Sequence, residues 1–243
     1  MHSRSIGDVR TTRAPRMDRA VLLTVVALGA FVVGACSDSS VPAPETLKAT
    51  TVRIVAGDSQ KAAVATALPA ALTVEVRDQH GNLMPGATVT FTASSGSVGV
   101  VTGVTDSTGI TSTTLTLGDA AGAYTVTAAV TGLQTPLTFD ETGIPGPAQD
   151  LVDAAGNGQA GAEGATLTTP LVVEVLDLFG NPVAGVQVTW SSPNGGVLST
   201  TTSLTDETGH ASAFLTLPAQ AETVQVVAHV DNVGDTVFSE ISQ

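Results

Sequence analysis

LTVEVRDQHGNLMPGATVTF, running from Leu72 to Phe91, returns ninety-nine positions later as LVVEVLDLFGNPVAGVQVTW, Leu171 to Trp190. Within the first copy Leu72, Val74 and Val76 face one way, while Thr73, Glu75 and Arg77 face the other. This is the two-residue period of a strand with one face buried. Gly81-Asn82 and Gly180-Asn181 then break the chain, and Gly86 and Gly185 break it again before the pattern resumes at Val89 with Phe91 and Val188 with Trp190. Glycine suits turns that a β-carbon would strain. A slip of one residue would turn every apolar side chain to water, so the register is tightly specified.

Working outward, TDSTGITSTTLTL from Thr105 to Leu117 matches TDETGHASAFLTL from Thr205 to Leu217 at an offset of 100, one residue having been inserted. Leu115 with Leu117 and Val126, Ala128 and Val130 keep the inward phase, as do Leu215 with Leu217 and Val226, Ala228 and Val230. A period near 100 exceeds that of solenoid repeats and equals one sandwich domain. The threonine- and valine-rich composition supports strands, and 42% hydrophobic against 13% charged residues excludes a disordered chain. The expected fold is all-β, with two tandem antiparallel sandwiches. The expected segments are a leader over 1–35, a tether over 36–47, domain 1 over 48–142, a linker over 143–147 and domain 2 over 148–243. Pro145 and Pro147 make that linker stiffer than a Gly/Ser one, which predicts a semi-rigid rod.

Ahead of the repeats, Ala20 to Ala35 form an apolar run behind Arg4, Arg10, Arg13, Arg16 and Arg19. The run is too short for a comfortable span and reads as a secretory leader. Val33-Gly34-Ala35-Cys36 resembles the bacterial lipobox, in which the cysteine becomes the lipid-modified first residue. Cys36 is the chain's single cysteine, so export here brings no internal disulfide. Met17 opens a more compact leader and is an alternative start to Met1. Ser37 stands where the enterobacterial pattern uses aspartate for inner-membrane retention, which favours the outer membrane. The leader carries +3, and removing it from the formal −13 leaves −16. Such a chain repels phosphate backbones, which excludes nucleic acid as a partner.

The punctuation of the repeats resembles the bacterial Ig-like domain of the intimin/invasin group, often called Big-1. The second copy carries it most fully, in Gly156-Asn157-Gly158-Gln159, Pro170 to Val175, Asp177, Gly180 to Gly185, and Thr205-Asp206 closing on Gly209. The first copy is looser, with Gly57-Asp58-Ser59-Gln60, Ala71 in place of proline, and Leu83-Met84-Pro85. The resemblance implies a sandwich used as rod segments in bacterial surface proteins. Acylation of Cys36 would replace the membrane β-barrel that anchors intimin and invasin, several buried acyl chains sufficing for stable attachment.

Candidate chemistry is sparse. Gly57-Asp58-Ser59 matches a serine-esterase block in letters, but the second copy has Gly156-Asn157-Gly158 there, so the segment reads as a turn and Ser59 as no nucleophile. His80, His210 and His229 show no zinc spacing and read as incidental surface residues. No cofactor is implied. The recurring acids are more informative, Asp78 and Asp106 returning as Asp177 and Asp206. With strands ordered A to G, Asp177 and Asp206 reach one pole, joined by Asp231, Asn232 and Asp235 of the last turn. A calcium site near the link is one reading. The other has each Asp accepting from its own turn, and the lack of EF-hand spacing favours it. Phe91, Tyr124, Phe139 and Trp190 fall in phase with the core, leaving Phe179 and Phe214 as candidate contact aromatics. The sequence reads as a non-enzymatic cell-envelope lipoprotein with structural or adhesive modules, its partner an unknown protein or glycan. The alternative is a carbohydrate- or envelope-binding subunit of a larger surface assembly.

Overall fold

The computed structural model describes residues 45–243. The leader, Cys36 and most of the tether lie outside the described residues. Ten strands form each repeat. In the first they are β1 (Ala49–Ala56), β2 (Lys61–Ala63), β3 (Leu72–Asp78), β4 (Thr88–Ala93), β5 (Ser97–Val98), β6 (Thr102–Val104), β7 (Ile110–Thr113), β8 (Leu115–Thr116), β9 (Gly122–Val130) and β10 (Leu137–Ile144). The second has β11 (Ala148–Ala155), β12 (Ala160–Gly161), β13 (Leu171–Asp177), β14 (Gln187–Ser191), β15 (Val197–Leu198), β16 (Thr202–Leu204), β17 (His210–Ala213), β18 (Leu215–Thr216), β19 (Glu222–Val230) and β20 (Gly234–Ser242).

Each sandwich packs a three-stranded sheet, β1-β3-β7 or β11-β13-β17, on a five-stranded one, β2-β10-β9-β4-β6 or β12-β20-β19-β14-β16. The pairings are antiparallel except β2 with β10 and β12 with β20, which are parallel. The inward sets named from the sequence are the buried ones: Leu72, Val74 and Val76 are fully buried, as are Leu171, Val173 and Val175. Two separate clusters result, one around Phe91, Tyr124 and Phe139 and the other around Trp190 and Phe238. Burial at about 25 cal/mol per Å² of apolar surface is what opposes the entropy of ordering these short strands. Gly81, Gly86, Gly180 and Gly185 all have positive φ, between 75° and 81°, which is the freedom the turn pattern required.

Candidate functional site

The turn after β13 is built on one carboxylate. Asp177 Oδ1 accepts from the backbone N–H of Phe179 (2.9 Å) and Asn181 (2.8 Å), while its Oδ2 accepts from Gly146 N–H (2.9 Å) in the segment joining the repeats. Asn181 extends the motif: its Nδ2 donates to Asp177 Oδ2 (2.9 Å) and to the Asp119 carbonyl (2.8 Å), and its Oδ1 accepts from Ala121 N–H (2.7 Å). Asp119 and Ala121 belong to the turn before β9, so Asn181 grips the first repeat, and it does so through backbone groups alone. Burial pushes the Asp177 carboxyl up, but the donors from Asn181, Gly146 and Phe179 outweigh it and hold the group below its ordinary value. Asp78 repeats the turn in the first copy, accepting from His80 and Asn82 N–H at 2.9 Å each.

Asp206 serves a second turn. Its Oδ1 accepts from the Thr208 hydroxyl (2.7 Å), Thr208 N–H (2.8 Å) and His210 N–H (3.1 Å), and the Thr208 hydroxyl is the main reason its pKa lies below the usual range. Asp106 is held in the same way by Thr108 and Ile110. Asp231 and Asp235 are engaged differently. They flank the His229 ring, with Nδ1 2.5 Å from Asp235 Oδ1 and Nε2 3.1 Å from Asp231 Oδ1. A carboxylate at each ring nitrogen favours the imidazolium form, in which both nitrogens donate. The Asp235 hydrogen bond is the largest cause raising the His229 pKa, followed by that of Asp231. His229 is therefore a partner of the acids, where the sequence suggested an incidental surface residue.

The register places the four acids at one end of the second sandwich. Asp177 ends β13, Asp206 follows β16, Asp231 follows β19, and β16 and β19 lie on either side of β14, where Thr189 pairs with both Thr202 and His229. Each is nonetheless committed to its own partners. Among the described residues no group of three or more His, Cys, Asp or Glu is placed to hold a metal ion. Ser59 sits in the Gly57–Gln60 turn at φ 60°, its N–H donating to the Asp140 carbonyl. A β-carbon on Gly57 would lie 2.2 Å from the Ala71 carbonyl oxygen, which explains the glycine there and at Gly156.

The model for the bacterial Ig-like domain (group 1) matches this sequence twice, over residues 46–140 and 152–241. The chain belongs to that family. The D0-D1 domain of intimin aligns at 21% identity over 78% of this chain and 98% of that one, with a TM-score of 0.32. Yersinia pseudotuberculosis InvD aligns at 20% identity over 76% and 57%, with a TM-score of 0.47. Invasin, described as a bacterial integrin-binding protein, aligns at 22% identity over 82% and 40%, with a TM-score of 0.36. This chain thus spans less than two thirds of the InvD and invasin chains. No curated protein sequence matches it.

Within the two Ig-like domains, Phe91, Tyr124, Phe139 and Trp190 are core residues, and Phe179 and Phe214 are exposed at 44% and 43%. Sequence reasoning missed Glu141 and Glu240, which occupy inward positions and are almost wholly buried. Their signal was available, since each lies two residues beyond an inward phenylalanine, Phe139 or Phe238, on a strand of period two. It also missed the Asn181 grip, whose partners are backbone atoms and leave no trace in a side-chain pattern.

Proposed function

We propose that this chain is a non-enzymatic lipoprotein of the cell envelope, anchored through acylated Cys36 in the outer membrane, whose two Ig-like domains form a structural or adhesive module. The domains are assigned to 48–142 and 148–243, behind a leader over 1–35 and a tether over 36–47, with 143–147 between them. The tandem family match carries the reading, and the lipobox at Val33 to Cys36 supplies the anchor. Asn181 supports the structural part. By holding the Asp119 carbonyl and Ala121 N–H it ties the repeats to each other without reading side chains, which suits a spacer. Cys36→Ser should move the protein from pelleted membranes to the soluble fraction; unchanged pelleting refutes the anchor. Protease shaving of intact cells then separates an outward-facing adhesin from a periplasmic spacer.

The acids are assigned to their turns and to His229, with no metal. A calcium site would stabilise the second domain by about 2.7 kcal/mol at a hundredfold excess over its dissociation constant. Millimolar calcium is expected to leave its Tm unchanged, and a rise abolished by Asp177→Ala or Asp206→Ala would reverse the assignment. A second reading, a carbohydrate- or envelope-binding subunit of a larger surface assembly, draws on the exposed Phe179 and Phe214, since aromatic faces suit sugar rings. Loss of glycan-array binding in the Phe179→Ala variant would support it.

A further inference from the structure

Glu141 lies on the inward face of β10, opposite Tyr124 of β9, and is 2% exposed. Its Oε2 accepts from Gln60 N–H at 2.6 Å, which holds the Gly57–Gln60 turn and the start of β2 against the sheet. Its Oε1 is buried without a hydrogen-bond partner. Glu240 occupies the same place in the second repeat, but there Oε1 accepts from Gly158 N–H (3.2 Å) and Oε2 from Gln159 N–H (2.5 Å). The difference traces to one donor. Ser59 N–H is spent on the Asp140 carbonyl, whereas its counterpart Gly158 N–H points at the glutamate.

An ionised carboxylate in this position is costly, because burial removes its hydration and one oxygen regains nothing. The charged groups around it do not help. Asp58 on the turn and Asp140 on β10 are both carboxylates, Tyr124 of β9 spends its hydroxyl on the Ala120 carbonyl, and Lys61 of β2 is exposed. We propose that the folded first repeat carries Glu141 as the neutral acid, so that a proton taken up on folding pins the edge strand β2 to β10. Removing that proton leaves a bare charge under the turn and favours release of β2, exposing the edge of β10. The second repeat, with two donors on its glutamate, holds β12 more firmly. Burial is the largest cause raising the pKa of both groups, and in the first repeat Asp58 and Asp140 add to it. The folded pKa lies above the unfolded one. The stabilisation is therefore full below the unfolded value and is lost as pH rises through the folded value.

The test is a carbon-13 titration of glutamate side-chain carboxyls in the full chain bearing Cys36→Ser, with amide exchange followed at Gln60 and Thr142. The Glu141 signal, assigned by its loss in Glu141→Gln, is expected to titrate above the ordinary glutamate value of about 4.3. Gln60 exchange, corrected for its intrinsic pH dependence, should accelerate with the same midpoint. In Glu141→Gln that acceleration should vanish while the amide stays protected. A midpoint at or below the ordinary value overturns the proposal, as does Gln60 protection that ignores the titration. If the variant fails to fold, assignment through the Glu141 backbone in the unsubstituted protein lets the same two readouts decide.

Discussion

In the first repeat Glu75 lies between two arginines, Arg53 Nε and Arg77 Nε being 2.8 and 2.7 Å from its Oε1. In the second repeat Glu174 occupies that position on β13, with Val152 across from it and Leu176 two residues on. The cores differ in the opposite sense. Phe91 has only apolar contacts to offer, whereas Trp190 adds an indole N–H to Ser203 Oγ at 2.8 Å and a tilted ring contact with Phe238 at 6.0 Å. One set of inward positions therefore carries two balances, the first repeat adding charge pairing on its sheet face and the second adding polar anchoring inside. Fold and register follow from the shared apolar phase, and the pH response of each copy follows from the residues that differ.

The largest expected effect breaks the second repeat alone. Trp190→Ala removes a buried aromatic, at about 3 to 5 kcal/mol, and leaves Ser203 Oγ without its donor. Because the two clusters share no residue, amide resonances of residues 148–243 should collapse while those of 46–142 persist. Collapse of both halves would show that the Asn181 grip couples the repeats more strongly than their separate cores suggest. Intact Trp190 should also emit as a buried indole.

Next in size is the contrast between the buried glutamates. Glu240→Gln leaves one acceptor for two N–H donors and sets an amide donor against one of them, a loss of about 1 to 3 kcal/mol. Glu141→Gln keeps the single acceptor that Gln60 uses and removes the cost of burying an ionisable carboxyl, so it should raise the stability of the first repeat at neutral pH. Denaturant midpoints resolved for each repeat check this. Equal losses would mean that the Ser59 and Gly158 turns satisfy their glutamates alike.

Much of this architecture was legible because it rests on local rules. The inward valines, the positive-φ glycines and the Asp206 turn are each decided within a few residues. The parallel pairing of β2 with β10 was not, since Lys61-Ala62-Ala63 has no alternation and its partner lies some eighty residues away. Glu141 and Glu240 were passed over because an acid at an inward position contradicts the hydrophobic pattern, and only the donors of a distant turn resolve the contradiction. Strand order gathers the four acids at one pole, yet it does not say that His229 stands between two of them.

A smaller effect concerns the joint. Asn181→Ala removes four hydrogen bonds, two of them to the first repeat, while keeping the Asp177 hub to Phe179 and Gly146. Residual dipolar couplings should then report two alignment tensors of unequal magnitude where the unsubstituted protein has one. Replacing Pro145 and Pro147 by alanine should do less if the grip, rather than linker stiffness, sets the orientation. The opposite ranking would return that role to the prolines.

The smallest expected effect is an acid-induced divergence of the two copies. The Arg53 hydrogen bond, opposed by burial and reinforced by Arg77, lowers the Glu75 pKa from 4.5 to about 2. A folded pKa below the unfolded one means stabilisation that is complete above pH 4.5 and lost as pH falls toward 2. Arg53 is more than half exposed, so solvent and salt screen the pair and the change in Tm should be modest. The lowered carboxyls of Asp78 and Asp106 have counterparts in Asp177 and Asp206, so they weaken both copies in acid alike. Glu141 works against Glu75, because acid relieves its burial. The comparison that isolates Glu75 is therefore Arg53→Gln with Arg77→Gln against the parent chain, melted between pH 6 and 3, with Trp190 fluorescence reporting the second repeat. Glu75 then remains near-buried with no cation beside it, its pKa climbs, and the first repeat should lose its extra acid sensitivity while becoming less stable at neutral pH. An unchanged acid slope in that variant would mean that the arginines decorate the sheet without stabilising it, and the contrast between the repeats would rest on their cores alone.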